Sequence, residues 1–297
     1  MKNRIILIVS LIAASICGKA QTNENIFLMN LGDSKVYLLS EGQRDGSTEI
    51  LIGAKPEIID KHAPNKSFPM ATNVFLWQTD GKNILFDAGY GKLLFDNLQF
   101  LKVNSEEIDA IYITHMHGDH FGGLLRDGNV AFPTAVLYLS QAEYDYWTDD
   151  ELFNKMPENR RGGILSVKNV LEAYKEQLCL FEPNTINSID SVSFGIQAIA
   201  CYGHTPGHTA YFLESGNDKL LIWGDLTHAM AIQMPYPKIA VTYDTHSENA
   251  IQSRSAILQW VSEQAIPVAG MHIAYPGIGT IEKSKAGYRF IPHPKIP

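Results

Sequence analysis

Within six residues, His115-Met116-His117-Gly118-Asp119-His120, the chain places three of its ten histidines and a carboxylate. Imidazole nitrogens and carboxylate oxygens are the ligands that a borderline divalent metal takes. The preceding run, 109–114 (DAIYIT), is short and apolar, as a buried strand is. In an extended chain, side chains two residues apart share a face, so His115 and His117 can point the same way. Gly118 lets the backbone turn, and Asp119 and His120 then arrive from another direction. The plain alternative is a solvated, His-rich loop. Three further places in the chain weigh against it.

The second place is Gly203-His204-Thr205-Pro206-Gly207-His208, after the strand-like run 195–202. Pro206 rules out a continuous helix, so His204 and His208 are not a helical i, i+4 pair. The third is Gly224-Asp225, after the apolar run 220–223 (LLIW). The fourth is Gly270-Met271-His272, after 266–269. Alone, a Gly-Asp after a strand is a turn, and a single histidine is a satisfied core or surface residue. Together the four supply six histidines (His115, His117, His120, His204, His208, His272) and two aspartates (Asp119, Asp225). Ligands in α/β proteins gather at the carboxyl ends of strands, where all four places fall.

The elements that must position these loops follow from pattern. Ile26–Leu31 and Lys35–Ser40 read as strands joined at Gly32-Asp33. Residues 41–70 carry Pro56, Pro64 and Pro69 and read as a long polar excursion. Thr72–Gln78 and Asn83–Phe86 form a hairpin through Asp80-Gly81. Helical stretches fall near 91–100, 118–125, 140–147 and 162–177. A second β-rich half starts near Ser191, with runs Val192–Tyr202, Thr209–Glu214 and Lys219–Trp223. Residues 248–264 form an amphipathic helix, with Ile251, Ala256, Ile257, Trp260 and Val261 close to helical spacing. This order predicts two facing sheets with helices outside, in one domain covering 21–297.

Composition sets the outer limits. A chain of 297 residues with 45% hydrophobic and 19% charged residues can bury a large core. Lys2 and Arg4, an apolar stretch at 5–16 and the small residues of Gly18-Lys19-Ala20 predict a signal peptide over 1–20. The mature chain then starts at Gln21, in the periplasm or outside the cell. The apolar stretch is too short to span a bilayer comfortably, so no membrane insertion is expected after cleavage. Cleavage removes Lys2, Arg4 and Lys19 from the 24 basic residues and none of the 32 acids, taking the net charge from −8 to −11. Such a surface repels phosphate backbones, which argues against nucleic acid as a partner. Cys179 and Cys201 remain, either as a disulfide or as two buried thiols.

The ordered motifs THMHGDH (114–120), GHTPGH (203–208), Gly224-Asp225 and His272 resemble the metallo-β-lactamase superfamily, over about residues 72–279. The resemblance implies an αβ/βα sandwich with a dinuclear metal site. One ion would take His115, His117 and His204, the other Asp119, His120 and His272, with Asp225 bridging. His208 would brace a loop rather than ligate. Two divalent ions are implied, zinc first, with manganese, cobalt and iron accepting similar sets. Relatives are often dimers, so a homodimer is implied as well.

Within the superfamily the match is to methyl parathion hydrolase-like proteins. It rests on 221–228 (LIWGDLTH), 271–279 (MHIAYPGIG), 140–147 (SQAEYDYW), and the steps from His204 to Asp225 and on to His272. Acyl-homoserine lactonases commonly carry tyrosine three residues after the bridging aspartate, where this chain has His228. True zinc β-lactamases lack the bridging aspartate. Glyoxalase-like thioesterases offer basic residues for glutathione, and no comparable cluster lies near these loops in the sequence.

The implied chemistry is hydrolysis of a small-molecule ester-type substrate, a phosphotriester or aryl ester, by a metal-bridging hydroxide. Asp225, Asp119 and His228 are the expected catalytic residues. His228 either hydrogen-bonds a leaving group or braces Asp225. Trp147, Phe121 and Phe68 are the expected pocket aromatics. A lactonase of the acyl-homoserine type is the second reading. A non-catalytic metal-binding module on the same fold is the third, disfavoured because all seven ligands are kept.

Overall fold

A computed structural model describes residues 23–186 and 191–294. The expected signal segment 1–20 lies outside the described residues. Among those described, no helix is long and apolar enough to cross a membrane.

Two seven-stranded sheets face each other. The first follows chain order: 26–31, 34–47, 67–79, 82–86, 110–112, 136–140 and 178–181. Its first four strands pair antiparallel and the rest parallel. The second runs 191–193, 196–200, 209–215, 218–222, 268–269, 278–284 and 287–292, with one parallel pair, 218–222 against 268–269. The inner faces meet in a core of Leu38, Phe75, Phe86 and Tyr112 from one sheet and Ala198, Tyr211, Leu213 and Ile222 from the other. Helix 158–173 covers the outer face of the first sheet through Val167, Val170 and Leu171. Helix 247–264 covers the second through Ile257, Leu258 and Val261. Burying each such side chain is worth about 1.5–3 kcal/mol, enough to fix both helices on their sheets. This is the expected αβ/βα sandwich.

Three expectations need correction. Residues 41–70 are not wholly an excursion. The strand from Ser34 continues to Ser47 and pairs with 67–79 down to Ser47↔Ser67, past an irregularity between Ser40 and Gly42. That irregularity absorbs the break in alternation that hides the strand in the sequence. The run 192–202 is two strands, because Phe194 and Gly195 both take positive φ (53° and 75°) and turn the chain into a hairpin. The helix expected from 162 begins at Glu158, directly after Pro157, with Gly162 and Gly163 inside it. The Asp80-Gly81 turn forms as expected, with φ of 47° and 72° and Thr79 paired to Lys82.

Candidate metal centre

The ligand-bearing loops follow strands of both sheets. His115–His120 follows 110–112, Asp225 follows 218–222, His272 follows 268–269, and His204 lies in the connection between 196–200 and 209–215. The Thr209 amide donates to Thr114 O, so the two sheets are joined directly beneath the loops.

Three groups of ligand atoms result, of which the third, Asp225, His228 and His272, shares members with the other two. Those of His115, His117, His204 and Asp225 lie within 4.8 Å of one another, as do those of Asp119, His120 and His272. In the first, His117 Nδ1 is 3.0 Å from both His115 Nε2 and His204 Nε2. Asp225 Oδ2 is 3.2 Å from His204 Nε2 and 3.7 Å from His115 Nε2. Its other oxygen, Oδ1, is 3.2 Å from His120 Nε2, and Oδ2 is 3.1 Å from His272 Nε2. Asp225 thus faces the first two groups. Ligand distances of about 2.0–2.2 Å place neighbouring ligand atoms about 3–3.5 Å apart in a tetrahedral site, which matches these separations.

Whether metal suits the centre can be tested on its buried atoms. His120 Nε2 and Asp225 Oδ1 are buried, face each other and have no hydrogen-bond partner. Unpaired buried polar atoms are costly, about 1–3 kcal/mol each, unless something else satisfies them. Cations between the nitrogens and Asp225 would do so. The protonation states fit too. Burial, with His204 nearby, pushes His117 down to about 3. Burial raises the Asp225 carboxyl, but His120, His272 and His228 overcome that and hold it well below the usual range. Neutral imidazoles and an ionised carboxylate are what a metal requires. His120 and His204 differ. Burial lowers both, but Asp225, Asp87 and Asp119 carry His120 well above its usual value, and hydrogen bonds to Asp225 and Asp244 carry His204 up to about 9, so binding at these two would release protons.

The ring atoms turned away from the ligand groups are held in turn. His120 Nδ1 is 2.6 Å from Asp87 Oδ2, His204 Nδ1 is 3.0 Å from Asp244 Oδ1, and His272 Nδ1 is 2.7 Å from Ala71 O. Carboxylate and carbonyl partners of this kind fix ring orientation and raise ligand basicity. Asp87 also accepts from the Thr114 amide and hydroxyl, at 2.7 and 2.8 Å. His208 braces as expected. Its Nδ1–H donates to Cys201 O, and its Nε2 accepts the Asp225 amide at 2.9 Å. Gly224 is required above it, since a Cβ there would lie 2.4 Å from His208 Nε2 and its φ is +58°.

Asp87, Asp244, Glu143 and Arg254 escape a reading by motif. Glu143 is fully buried and ties the first two metal loops together. It accepts from the Met116 amide (2.8 Å), the Gly207 amide (3.0 Å), the Thr205 hydroxyl (2.6 Å) and Trp147 Nε1 (2.6 Å). Arg254, from helix 247–264, donates to the carbonyls of Leu226, Pro237 and Ile239 and so pins the loop after Asp225. Apart from Trp147, four residues from Glu143, the partners named here lie 15 or more residues away in sequence. The one local signal is Glu143 inside 140–147.

Above the centre opens a cavity of about 740 Å³. Trp147 lines it, with its ring edge-on to His117 at 6.0 Å. His228 lines it too, with Nε2 3.1 Å from Asp225 Oδ2 and its ring 4.9 Å from that of His272. Phe121 and Phe68 do not. Phe121 packs into the core under the first sheet. Phe68 lies over Gly46, where a Cβ would be 2.6 Å from its ring, and packs with Met70, Ala229 and Ile232. Both follow the commoner fate of an aromatic beside a buried strand or helix. Cys179 and Cys201 are free thiols, and burial pushes Cys201 up to about 12.

The sequence profile of the Metallo-beta-lactamase superfamily matches residues 68–262, well over half the chain, and the chain belongs to that superfamily. It is a hydrolase of that fold with a His/Asp metal site. Among solved structures it is similar to hydrolase AbOPH of the beta lactamase superfamily, at 25% identity and TM-score 0.84, over 93% of this chain and all of that one. It is similar also to AidC, a dizinc quorum-quenching lactonase solved with a product, N-hexanoyl-L-homoserine, at 25% identity and TM-score 0.80 over 92% and 99%. Cleavage and polyadenylation specificity factor 73 of Drosophila melanogaster is 26% identical over 189 residues. That match spans 59% of this chain and 27% of the fly protein.

Proposed function

We propose that the chain hydrolyses neutral, largely apolar ester-type substrates, phosphotriesters or aryl esters first, as a methyl parathion hydrolase-like enzyme with two ions. The observation that carries this is the cavity. Five of the ligand residues, His117, Asp119, His204, Asp225 and His272, line it, while its wall holds Trp147, Met156 and Ile164 and, among the described lining residues, one arginine and no lysine. The ions, zinc first, would supply Lewis-acid activation of water and of the substrate oxygen. The chain's own residues do the rest. Asp225 faces both ligand groups, with Oδ2 toward His204 and His272 and Oδ1 toward His120. His228 braces Asp225 through Nε2, in preference to contacting a leaving group. Asp87 and Asp244 hold His120 and His204 in the tautomer that presents Nε2. Trp147, held by Glu143, gives the apolar arm a flat surface and excludes water beside His117.

The likeness to AidC favours a second reading, an acyl-homoserine lactonase. His228 in place of the lactonase tyrosine keeps it second. Export after cleavage at residue 20, a single hydrolase domain over 21–297 and a homodimer belong to the same proposal. Metal-replete and chelated protein assayed on an aryl ester, a lactone and a phosphotriester test the reaction. Chelator-sensitive turnover of the first or third supports it. Turnover confined to phosphodiesters or β-lactams overturns it.

A further inference from the structure

One buried carboxylate joins three parts of the site that the chain supplies separately. Glu143 stands in the first turn of helix 141–148, three residues after the cap Ser140, whose hydroxyl accepts the Glu143 amide. In a capping box a glutamate at this place turns back to the amide of the cap. Glu143 turns the other way. Its Oε1 accepts from the Met116 amide, between the ligands His115 and His117, and from Trp147 Nε1. Its Oε2 accepts from the Thr205 hydroxyl and the Gly207 amide, both just past the ligand His204. The first of these loops follows a strand of the first sheet and the second joins two strands of the other, so the carboxylate spans the two sheets. Gly207 makes the approach possible, since a Cβ there would lie 2.1 Å from the Glu143 amide nitrogen. None of the four bonds goes to Asp119, His120 or His272. All four donors are neutral. An ionised carboxylate has acceptor sites for every one of them, whereas a glutamine has one acceptor oxygen and would set its own N–H groups against the other donors.

We propose that Glu143 is a positioning residue that locks His115, His117 and His204 into one ligand group and sets the Trp147 wall against it. Metal affinity at that group and the placement of the wall then depend on the same carboxylate, while the group of Asp119, His120 and His272 does not. This rests on the two-ion reading for its metal arm but not for its wall arm.

The test titrates metal into apo wild type, Glu143→Gln, Thr205→Val and Val167→Ala, with Asp244→Ala marking the step that depends on His204. Glu143→Gln should weaken that step at least about tenfold and the other by less than about threefold. Thr205→Val removes one donor and strands none. It should weaken the same step by a smaller factor, and it carries the test if Glu143→Gln does not fold. Val167→Ala, a truncation in the core under helix 158–173, should lower the melting temperature and leave both steps at their wild-type affinities. Acrylamide quenching of Trp147, read as the difference between each protein and its Trp147→Phe counterpart, should rise in Glu143→Gln with and without metal. Equal weakening of both steps overturns the proposal. So do wild-type affinities in Glu143→Gln or, where it does not fold, in Thr205→Val, and so does unchanged quenching. If wild type binds no metal the two-ion reading fails, and the quenching still decides whether Glu143 holds the wall.

Discussion

The floor and the rim of the cavity are built on opposite principles. On the floor, Asp225 is 4% exposed, and His115, His120, His204 and His272 are buried. Nearly every atom that does not face a ligand group has a partner: Thr114, Asp87, Asp244 or Ala71 for the rings, His208 for the Asp225 amide. On the rim, Arg44, Tyr90 and Tyr243 are exposed, Tyr243 by half. Trp147 is tied to the floor through Glu143, and Tyr243 by a ring contact with His228 at 5.7 Å. An over-determined floor suits ligands whose geometry must not change. A loosely held rim can alter what is bound without disturbing them.

That contrast predicts a descending series of effects. Asp225→Ala removes the residue shared by both ligand groups. It should weaken both metal sites by more than the about 10–100-fold expected for loss of an outer partner, and abolish turnover, as read by metal titration and assay. Asp244→Ala should weaken one site about 10–100-fold through His204 and leave the other nearly intact. Asp87→Ala should weaken the other site through His120. It should also lower the melting temperature more than Asp244→Ala does, because the buried Thr114 amide and hydroxyl lose their acceptor at about 1–3 kcal/mol each. Two metals lost together in Asp244→Ala would break the division into two groups.

At the rim, Trp147→Ala should shift the ratio of kcat/KM between bulky and small esters several-fold while metal content stays at the wild-type level. Loss of metal there would show that Glu143 depends on Trp147, and that floor and rim are one unit. The smallest effect concerns the thiols. Iodoacetamide on the native protein should label half-buried Cys179 and spare Cys201, whose thiol burial holds at about 12. Mass spectrometry of the digest reads this directly.

The floor was legible in the sequence because its ligands lie in short loops after apolar strands, where residue type and local spacing carry the message. His115, His117, Asp119, His120, His204, Asp225 and His272 sit together as the motifs implied. Their supports were not legible. Asp87 and Asp244 meet His120 and His204 from 33 and 40 residues away. Ala71 meets His272 through a backbone carbonyl that no side-chain pattern can announce. Arg44 was hidden for another reason. The strand bearing it passes an irregularity at Ser40/Gly42, which breaks the period-two signal, so the arm reads as loop. Phe68 and Phe121 show the converse error. An aromatic near a motif reads as a pocket wall, but packing draws both into the core.

The central claim is that Asp225 joins two ligand groups into one dinuclear floor. Elemental analysis of purified, fully metal-loaded wild type tests it most directly. Two tightly bound divalent ions per chain are expected, falling toward none in Asp225→Ala. A single tightly bound ion per wild-type chain at saturation would contradict it.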